Sequence, residues 1–249
     1  MTSLARPPAT SSELSAAYRA AAQRELQRTR TGAVIVGHKV GYTNIGAWQR
    51  LGATEPMWGA MYDDTVIQIG RAGGTCSLAP FVGPRIEPEI VLHFGKTPSL
   101  QATLEDVLDC VDWMAQGFEI VLTPADGVPP TVPEAISMGG MHGALLVGHP
   151  RPVAELGPDL RARLEAVQLA LYCDGRLKEQ GAGSNVLGNP LNSVLHLMQG
   201  LAREGRPPLQ AGSIVTTGTL TAAFPIAAGE RWTTRLTGLD LPDLDVRFE

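Results

Sequence analysis

Two glutamates at alternate positions of one apolar segment are the first candidates for a functional site in this sequence. Glu87 and Glu89 lie in the segment Arg85–Phe94, and the residues that follow them are apolar. Because side chains alternate between the two faces of a β-strand, both carboxylates would leave by the same face. A third carboxylate, Glu119, stands among apolar neighbours in a later strand-like segment. Three carboxylates that converge from two strands form a hard-oxygen site, which suits Mg²⁺ or Mn²⁺.

The spacing alone leaves a second interpretation open. A Glu-x-Glu pair is more often the solvated face of an antiparallel sheet, where the carboxylates meet only water. If the strand is buried instead, the like charges repel each other and each carboxylate needs a cationic partner. Arg85 is close in sequence but carries one charge for two carboxylates. A buried pair would therefore require a further cation.

The sequence around the three glutamates resembles the metal-binding pattern of the fumarylacetoacetate hydrolase superfamily. The resemblance rests on two segments, Arg85-Ile86-Glu87-Pro88-Glu89-Ile90 and Gly117-Phe118-Glu119-Ile120-Val121. A third segment, which ends in Thr217-Gly218-Thr219, is similar to the superfamily's Gly-Asp-x-x-x-Thr-Gly-Thr strand and turn, with Ser213 in place of the common Asp. Within the superfamily the chain looks most like the branch of 2-oxo-acid hydratases and decarboxylases, of the 2-keto-4-pentenoate hydratase type.

Two residues gain candidate catalytic roles from this resemblance. Lys39 lies in a segment similar to the branch's Lys-x-Gly-x-Thr motif, whose lysine faces the active site; on general grounds it could instead be an edge-strand lysine that extends outward. Burial near a metal ion would depress the pKa of Lys39 and fit it for proton transfer. His142 lies where the relatives place polar pocket residues, so it is a second proton-transfer candidate, although a structural histidine is the commoner case.

Four more residues are candidates for substrate binding. The hydroxyls and turn amides of Thr217, Gly218 and Thr219 can bind a carboxylate, because glycine lets the backbone approach a ligand closely. The alternative is an ordinary strand end. Asp64 ends a segment similar to the branch's Gly-x-x-x-Asp-Asp motif, where the acidic pair borders the pocket, but a solvated turn would explain it equally well.

Composition argues against several classes of protein. The 249 residues are 44% hydrophobic and 18% charged, which is enough for a sizeable core. A net charge of -5 and a pI near 5.6, without a basic run, argue against a nucleic-acid partner. The three separated cysteines fit a reducing cytoplasm better than a disulfide framework. No apolar run approaches the roughly 20 residues that span a bilayer, so we expect a cytoplasmic protein without a membrane partner.

Local patterns predict the helices, strands and loops along the chain. Helices are expected at Ser11–Arg30, with Ser11 or Ser12 as the N-cap, and at residues 103–115 and 191–203. Strand-like runs cover residues 33–43, 85–94, 143–147 and 209–220, and a hairpin at 166–180 turns at Asp174-Gly175. Residues 52–64 and the proline-rich residues 123–133 are expected to be loops. We expect residues 1–32 to form an N-terminal tail and helix, and residues 33–249 a single catalytic domain.

The resemblance also implies a fold, a cofactor and an activity. The fold would be α+β and mainly β, a mixed β-roll of the fumarylacetoacetate hydrolase C-terminal domain type with flanking helices. Mg²⁺ or Mn²⁺ on the three glutamates would stabilise the enolate of a small unsaturated 2-oxo acid. A hydratase acting on 2-hydroxypenta-2,4-dienoate is favoured, ahead of a decarboxylase acting on 2-oxohex-3-enedioate and a C–C bond hydrolase of an acylpyruvate. A non-catalytic partner subunit is the alternative from a different class.

Two further implications concern assembly and substrate. The relatives lead us to expect a homo-oligomer that can associate with a partner enzyme of the same pathway. After the third carboxylate the hydratases commonly continue with Asp-Ser-Arg and later Ala-Asp-Asn, whereas this chain has different residues at 122–126 and 137–143. The sequence therefore leaves the identity of the substrate open.

Overall fold

The strands and helices of the protein are described for residues 6–71, 73–125 and 127–249, in a computed structural model. In chain order the strands are β1 (Ile35–Gly41), β2 (Met57–Tyr62), β3 (Val66–Gln68), β4 (Gly74–Cys76), β5 (Arg85–Phe94), β6 (Val111–Val121), β7 (His142–Val147), β8 (Arg151–Pro152), β9 (Gln168–Cys173), β10 (Arg176–Ala182), β11 (Ile214–Thr219), β12 (Phe224–Pro225), β13 (Arg231–Thr237) and β14 (Asp245–Phe248). The α-helices are α1 (Ser11–Arg30), α2 (Trp48–Leu51), α3 (Leu104–Leu108), α4 (Val132–Ser137), α5 (Leu160–Ala166) and α6 (Pro190–Arg203).

A curled nine-stranded sheet with mixed pairing carries the long strands. Its main path runs β2-β1-β11-β5-β6-β7-β3, with β12 paired to β5 and β8 paired to β6. β1 pairs with β11 in parallel, whereas the long central pair of β5 and β6 is antiparallel. Parallel neighbours need a crossover connection, and the chain between β1 and β11 supplies it. This mixed sheet with flanking helices confirms the predicted β-roll.

A second sheet of five strands packs with the first around one shared core. Its order is β10-β9-β13-β14-β4. Phe94 and Phe118 of the larger sheet belong to the same buried apolar cluster as Trp232 and Phe248 of the smaller sheet. Each large aromatic side chain removes much apolar area from water, so this cluster joins the two sheets. The turn between β9 and β10, at Asp174 and Gly175, has φ of 49° and 75°, which are the angles of the predicted type I′ hairpin.

Helices α1 and α6 cover the sheet where the sequence predicted them. Asn189 caps α6 and Pro190 occupies its first turn. Thr10, rather than Ser11 or Ser12, caps α1 through a capping box with Glu13, so the predicted cap was wrong by one or two positions. The ring of Tyr18 in α1 stacks on Trp58 of β2 at a centroid distance of 4.5 Å. Among the described residues, no helix combines the length and the apolar character that crossing a bilayer requires.

Two predicted elements differ from the observed ones. The helix expected at residues 103–115 ends at Leu108, and β6 begins at Val111. The apolar spacing there fits a helix, but ladder pairing of β6 with β5 along its whole length outweighs that weak local preference. The loop expected at residues 52–64 contains β2, whose six residues are all buried. A Cβ at Gly59 would lie 2.3 Å from the carbonyl oxygen of Gly139, so glycine here permits close packing and does not signal a loop.

Candidate metal centre

The three predicted metal ligands lie side by side on adjacent strands. Glu87 of β5 is the register partner of Glu119 in β6, and Glu89 is the partner of Gly117. Oxygen atoms from the three carboxylates lie within 4.8 Å of one another. Glu89 and Glu119 are buried, and Glu87 is partly buried. Strand alternation therefore turns both carboxylates of β5 to one face, and the antiparallel register adds the third.

A buried apolar layer lies below the carboxylates on the same face of the sheet. Two positions further along, the next register pair on this face is Val91 and Ala115. Both belong to a small cluster of buried side chains with Met61, Leu145 and Val147. A Cβ at Gly117 would lie 2.5 Å from Val91 Cγ2, so the layer leaves no room for a larger residue there. The layer excludes water from below and strengthens the electrostatic interactions of the carboxylates.

Glu119 is held by one side chain at each of its oxygen atoms. Lys39 Nζ lies 3.0 Å from Oε2, and His142 Nδ1 lies 2.9 Å from Oε1. Lys39 and Glu119 thus form a buried ion pair, and Nζ also donates a hydrogen bond to the carbonyl of Gly140 at 3.1 Å. Lys39 is 1% exposed, so it is the further cation that buried carboxylates require.

Glu89 is held by β11, the strand on the other side of β5. Its Oε2 accepts hydrogen bonds from the hydroxyl of Thr216 and from the backbone N–H of Gly218, the latter at 2.6 Å. Gly218 has φ of 109°, and a Cβ there would lie 2.2 Å from Thr43 Oγ1. Both the backbone conformation and the close approach therefore require glycine.

The threonines of the predicted substrate-binding turn use their hydroxyls within the protein. Thr217 donates to the carbonyl of Ile90, and Thr219 donates to the carbonyl of Thr221, each at 3.0 Å. Gly218 of the predicted turn therefore contacts the carboxylate cluster through its backbone N–H. Thr216, which was not predicted, contacts it through its hydroxyl. Substrate binding by Thr217 and Thr219 stays a prediction.

The site shifts the pKa values of the three carboxylates in different directions. Burial raises the pKa of Glu87 to about 7, although the Lys39 ammonium opposes this change. Burial and the neighbouring Glu119 and Glu87 raise the pKa of Glu89 well above its usual value. Burial would also raise the pKa of Glu119, but Lys39 and His142 hold it below its usual value. A buried cluster in which the pKa values of neighbouring carboxyls are shifted in opposite directions is typical of a functional site.

An unpaired oxygen of the cluster fits a divalent cation. Oε1 of Glu89 is buried and accepts no hydrogen bond from the described residues. It lies in the group of three carboxylates whose oxygens are within 4.8 Å of one another. Buried acceptors without donors are costly, and hard cations such as Mg²⁺ and Mn²⁺ bind carboxylate oxygen. The donor set therefore matches the predicted metal.

The metal-free site raises the pKa of Lys39. Burial lowers it, as expected, but the charges of Glu119, Glu87 and Glu89 outweigh burial and raise it above the usual lysine value. The sequence argument assumed a bound metal ion and did not count the carboxylates, so a depressed pKa of Lys39 in the metal-bound protein stays a prediction. Gly140 encloses the lysine stem: its φ is 73°, and a Cβ there would lie 2.8 Å from Lys39 Cδ.

Two strained residues flank the site and have no signal in the sequence. Tyr42 follows β1 with φ of 57°, and Met141 precedes His142 with φ of 62°. Left-handed backbone costs a residue other than glycine of order 1–3 kcal/mol and clusters at active sites. Burial raises the pKa of the Tyr42 phenol, while the charge of Lys39 opposes this increase. The phenol is therefore within electrostatic reach of the catalytic candidate.

The structure does not bring Asp64 to the carboxylate cluster. Its side chain is 61% exposed and forms an ion pair with Arg28 at 2.6 Å. The next residue, Thr65, does reach the site, because its hydroxyl lies 3.1 Å from Nε2 of His142. Substrate binding by Asp64 stays a prediction that this geometry does not support.

The protein is a β-roll with a cluster of three carboxylates that could hold a metal ion. Residues 56–243 match the family described as fumarylacetoacetate (FAA) hydrolase C-terminal, and the chain belongs to this family. A 2-keto-4-pentenoate hydratase of Paraburkholderia xenovorans is 29% identical over 214 residues, which cover 86% of this chain and 76% of that protein. A 4-oxalocrotonate decarboxylase of a Pseudomonas species is 28% identical over 206 residues, which cover 81% of this chain and 75% of that protein.

A solved structure of 4-oxalocrotonate decarboxylase from Pseudomonas putida G7, complexed with magnesium and adipate, has a similar fold. Its TM-score to this chain is 0.83 at 26% identity, covering 94% of this chain and 85% of that chain. The similarity thus extends beyond the larger sheet to most of the chain. It also shows a relative with magnesium bound, in keeping with the donor set described above.

Proposed function

We propose that the protein is a metal-dependent lyase that adds water to a small unsaturated 2-oxo acid of the 2-hydroxypenta-2,4-dienoate type. The observation that carries the proposal is the buried cluster of Glu87, Glu89 and Glu119, with Lys39 Nζ 3.0 Å from Glu119. The choice of hydration is supported by the relatives named 2-keto-4-pentenoate hydratase and 2-hydroxyhexa-2,4-dienoate hydratase.

Each residue of the cluster has a role in this reaction. The three carboxylates would hold Mg²⁺ or Mn²⁺, which supplies Lewis acidity towards the carboxylate and 2-oxo oxygens of a substrate. Lys39 holds the transferable proton at Nζ, and the carbonyl of Gly140 aims the ammonium. The Gly218 amide fixes Oε2 of Glu89, which leaves Oε1 to face a ligand. The apolar layer below the carboxylates keeps bulk water out of that side of the site.

Decarboxylation of a 2-oxohex-3-enedioate type acid is the second candidate. The likeness to the 4-oxalocrotonate decarboxylase structure favours it. A substrate with a second carboxylate needs a second cation, and Arg85 is suitable. Arg85 lies close enough to Glu87 to lower its pKa, while one of its guanidinium nitrogens donates to the carbonyl of Ala223 at 2.5 Å.

One experiment separates the candidates. The purified protein with Mg²⁺ is incubated with 2-hydroxypenta-2,4-dienoate and, separately, with 2-oxohex-3-enedioate, while ultraviolet absorbance, nuclear magnetic resonance spectra and released CO₂ are followed. We expect loss of the dienoate absorbance with formation of a 4-hydroxy-2-oxo acid, abolished by a chelator and restored by Mg²⁺. CO₂ release from the enedioate without hydration of the dienoate would identify a decarboxylase.

Two remaining alternatives are tested when an acylpyruvate is added to the same set of substrates. Cleavage of an acylpyruvate alone would identify a C–C bond hydrolase. Thermal stabilisation by these acids without any chemical change would identify a non-catalytic partner subunit. The homo-oligomer, its association with a partner enzyme and the cytoplasmic location stay predictions, and light scattering of the purified protein tests the first.

A further inference from the structure

Thr65 stands behind the metal ligand Glu119, separated from it by one imidazole ring. Nδ1 of His142 lies 2.9 Å from Oε1 of Glu119, and Nε2 lies 3.1 Å from Oγ1 of Thr65. The His142 side chain is 4% exposed, so protein atoms occupy both ring nitrogens. Thr65 lies in the turn between β2 and β3, and its carbonyl accepts a hydrogen bond from the N–H of Leu145 in β7 at 2.8 Å. The turn is thereby fixed to the strand that carries His142.

The hydrogen-bonding capacity of each group sets the direction of this chain. A carboxylate that binds a metal is ionised and can only accept hydrogen bonds. Nδ1 of His142 must then carry a hydrogen to donate to Glu119. In a neutral imidazole the other nitrogen, Nε2, is left as an acceptor and needs a donor.

The hydroxyl of Thr65 has one hydrogen and two acceptors within reach, Nε2 of His142 and the carbonyl of Tyr62, each at 3.1 Å. Its oxygen also accepts a hydrogen bond from the N–H of Tyr62 at 3.1 Å. The Tyr62 carbonyl already accepts a hydrogen bond from the N–H of Thr65 at 2.9 Å, so it is satisfied without the hydroxyl. Nε2 of His142 has no other donor, and leaving a buried acceptor without one is costly, so this nitrogen is the favoured partner of the hydroxyl hydrogen.

We propose that Thr65 is a positioning residue of the metal centre: its hydroxyl fixes the Nδ1–H tautomer of His142, which holds Oε1 of Glu119 and so orients this carboxylate. The proposal rests on the role of Glu119 as a metal ligand in the proposed function. It assigns His142 to positioning and not to proton transfer, because neither ring nitrogen is open to a substrate. Loss of an outer partner of this kind weakens metal binding by about 10–100-fold in other sites.

Three variants separate this role from a purely structural one. Thr65→Val keeps the shape and removes the hydroxyl, whereas Thr65→Ser keeps the hydroxyl. Thr234→Val is the matched control, because Thr234 is buried in the smaller sheet and donates to Gln116 at 2.7 Å. By calorimetric titration with Mn²⁺ in the absence of substrate, we expect about 10–100-fold weaker binding for Thr65→Val. The Mn²⁺ affinities of Thr65→Ser and Thr234→Val should stay within about threefold of the wild-type affinity.

A second readout needs no activity, and its central measurement is made on the wild-type protein. The ¹⁵N shifts and long-range couplings of the His142 ring, assigned by comparison with His142→Gln, report its tautomer in the metal-free wild-type protein. We expect the Nδ1–H tautomer, and a mixture of tautomers in Thr65→Val. An Nε2–H tautomer in the wild type, or wild-type metal affinity in a folded Thr65→Val, would overturn the proposal. If the wild type binds no divalent ion, the proposed function fails, and the wild-type tautomer still decides whether Thr65 orients His142.

Discussion

Replacing Glu89 by glutamine tests the electrostatics of the site most directly. The glutamine carbonyl oxygen can still accept the hydrogen bonds of the Gly218 N–H and the Thr216 hydroxyl. Its neutral amide nitrogen takes the place of Oε1, the buried oxygen that has no hydrogen-bond donor among the described residues. Burial and two carboxylates already raise the pKa of Glu89 well above its usual value, so removing its charge should not destabilise the metal-free protein.

The metal-dependent part of the stability should be lost in this variant. A ligand that binds only the native state at a hundred times its Kd stabilises it by about 2.7 kcal/mol. In a protein of this size each kcal/mol shifts Tm by roughly 2–4 °C, which gives a rise of about 5–11 °C for the wild type. If losing one of three anionic ligands weakens binding about 100-fold, the same Mg²⁺ concentration stabilises Glu89→Gln by about 0.4 kcal/mol, or about 1–2 °C.

Differential scanning calorimetry at pH 8, with and without MgCl₂, measures both effects. Glu105→Gln is the matched control, because Glu105 lies on the surface and pairs with Arg161 at 2.5 Å. Exposed pairs contribute about 0–1 kcal/mol, and this one is remote from the metal ligands, so its Mg²⁺ response should equal that of the wild type. A wild-type Mg²⁺ shift in Glu89→Gln, or a metal-free Tm more than about 5 °C below that of the wild type, would refute the reasoning.

Three further perturbations have defined outcomes. Lys39→Met removes the cation between buried carboxylates, so thermal unfolding of the metal-free variant should show a loss of about 3–5 kcal/mol, part of which Mg²⁺ restores. Its kcat should fall by about 100-fold or more, and a folded, metal-loaded variant within a few-fold of the wild-type rate would exclude Lys39 from proton transfer. Gly140→Ala should lower kcat more than Gly139→Ala: both positions have positive φ, but only a Cβ at 140 meets Lys39, and equal rates in steady-state assays would contradict this. Because burial raises the pKa of Glu87 from 4.5 to about 7, that carboxyl stabilises the metal-free fold below pH 4.5 and loses this contribution as the pH rises through 7. Metal affinity should change in the opposite sense, and a calorimetric titration series that finds pH-independent affinity between about pH 6 and 8 would count against the assignment.

Sequence patterns predicted correctly those elements that a few neighbouring residues are enough to specify. The alternation in β5, the apolar stripe of α6 and the Asp174-Gly175 turn each specify their structure within a few residues. The start of β6 was not predictable in this way. Leu104, Val107 and Val111 fit one face of a helix, and only pairing with the preceding strand β5, which the apolar spacing does not show, decides for β6. The prediction of a loop at residues 52–64 was wrong for the same reason, because the pairing of β2 with β1 outweighs Gly59 as a turn signal.

Only the charged residues of the site could be predicted from the sequence. The three glutamates and Lys39 are conspicuous because charge among apolar neighbours is rare. Thr65, Thr216 and the Gly140 carbonyl contribute single hydrogen bonds from distant segments, and threonines or glycines at such positions carry no separate pattern. Thr216 had a partial signal, because it adjoins the predicted Thr217-Gly218-Thr219 turn. Thr65 had none, since its contact with His142 exists only once the turn before β3 lies against β7.

Charge balance explains why metal, protons and fold are coupled at this site. Three ionised glutamates and the Lys39 ammonium together carry a net charge of -2. Glu89, Glu119 and Lys39 are only 0–1% exposed, so water cannot solvate this charge. Such a charge cannot stay buried without compensation, and the raised pKa values of Glu87 and Glu89 mean that protons are the expected compensation in the metal-free protein. One divalent ion supplies the same compensation, so metal binding must release protons from these carboxyls. The neutral centre that results can then accept an anionic 2-oxo acid, whereas an uncompensated cluster would repel it.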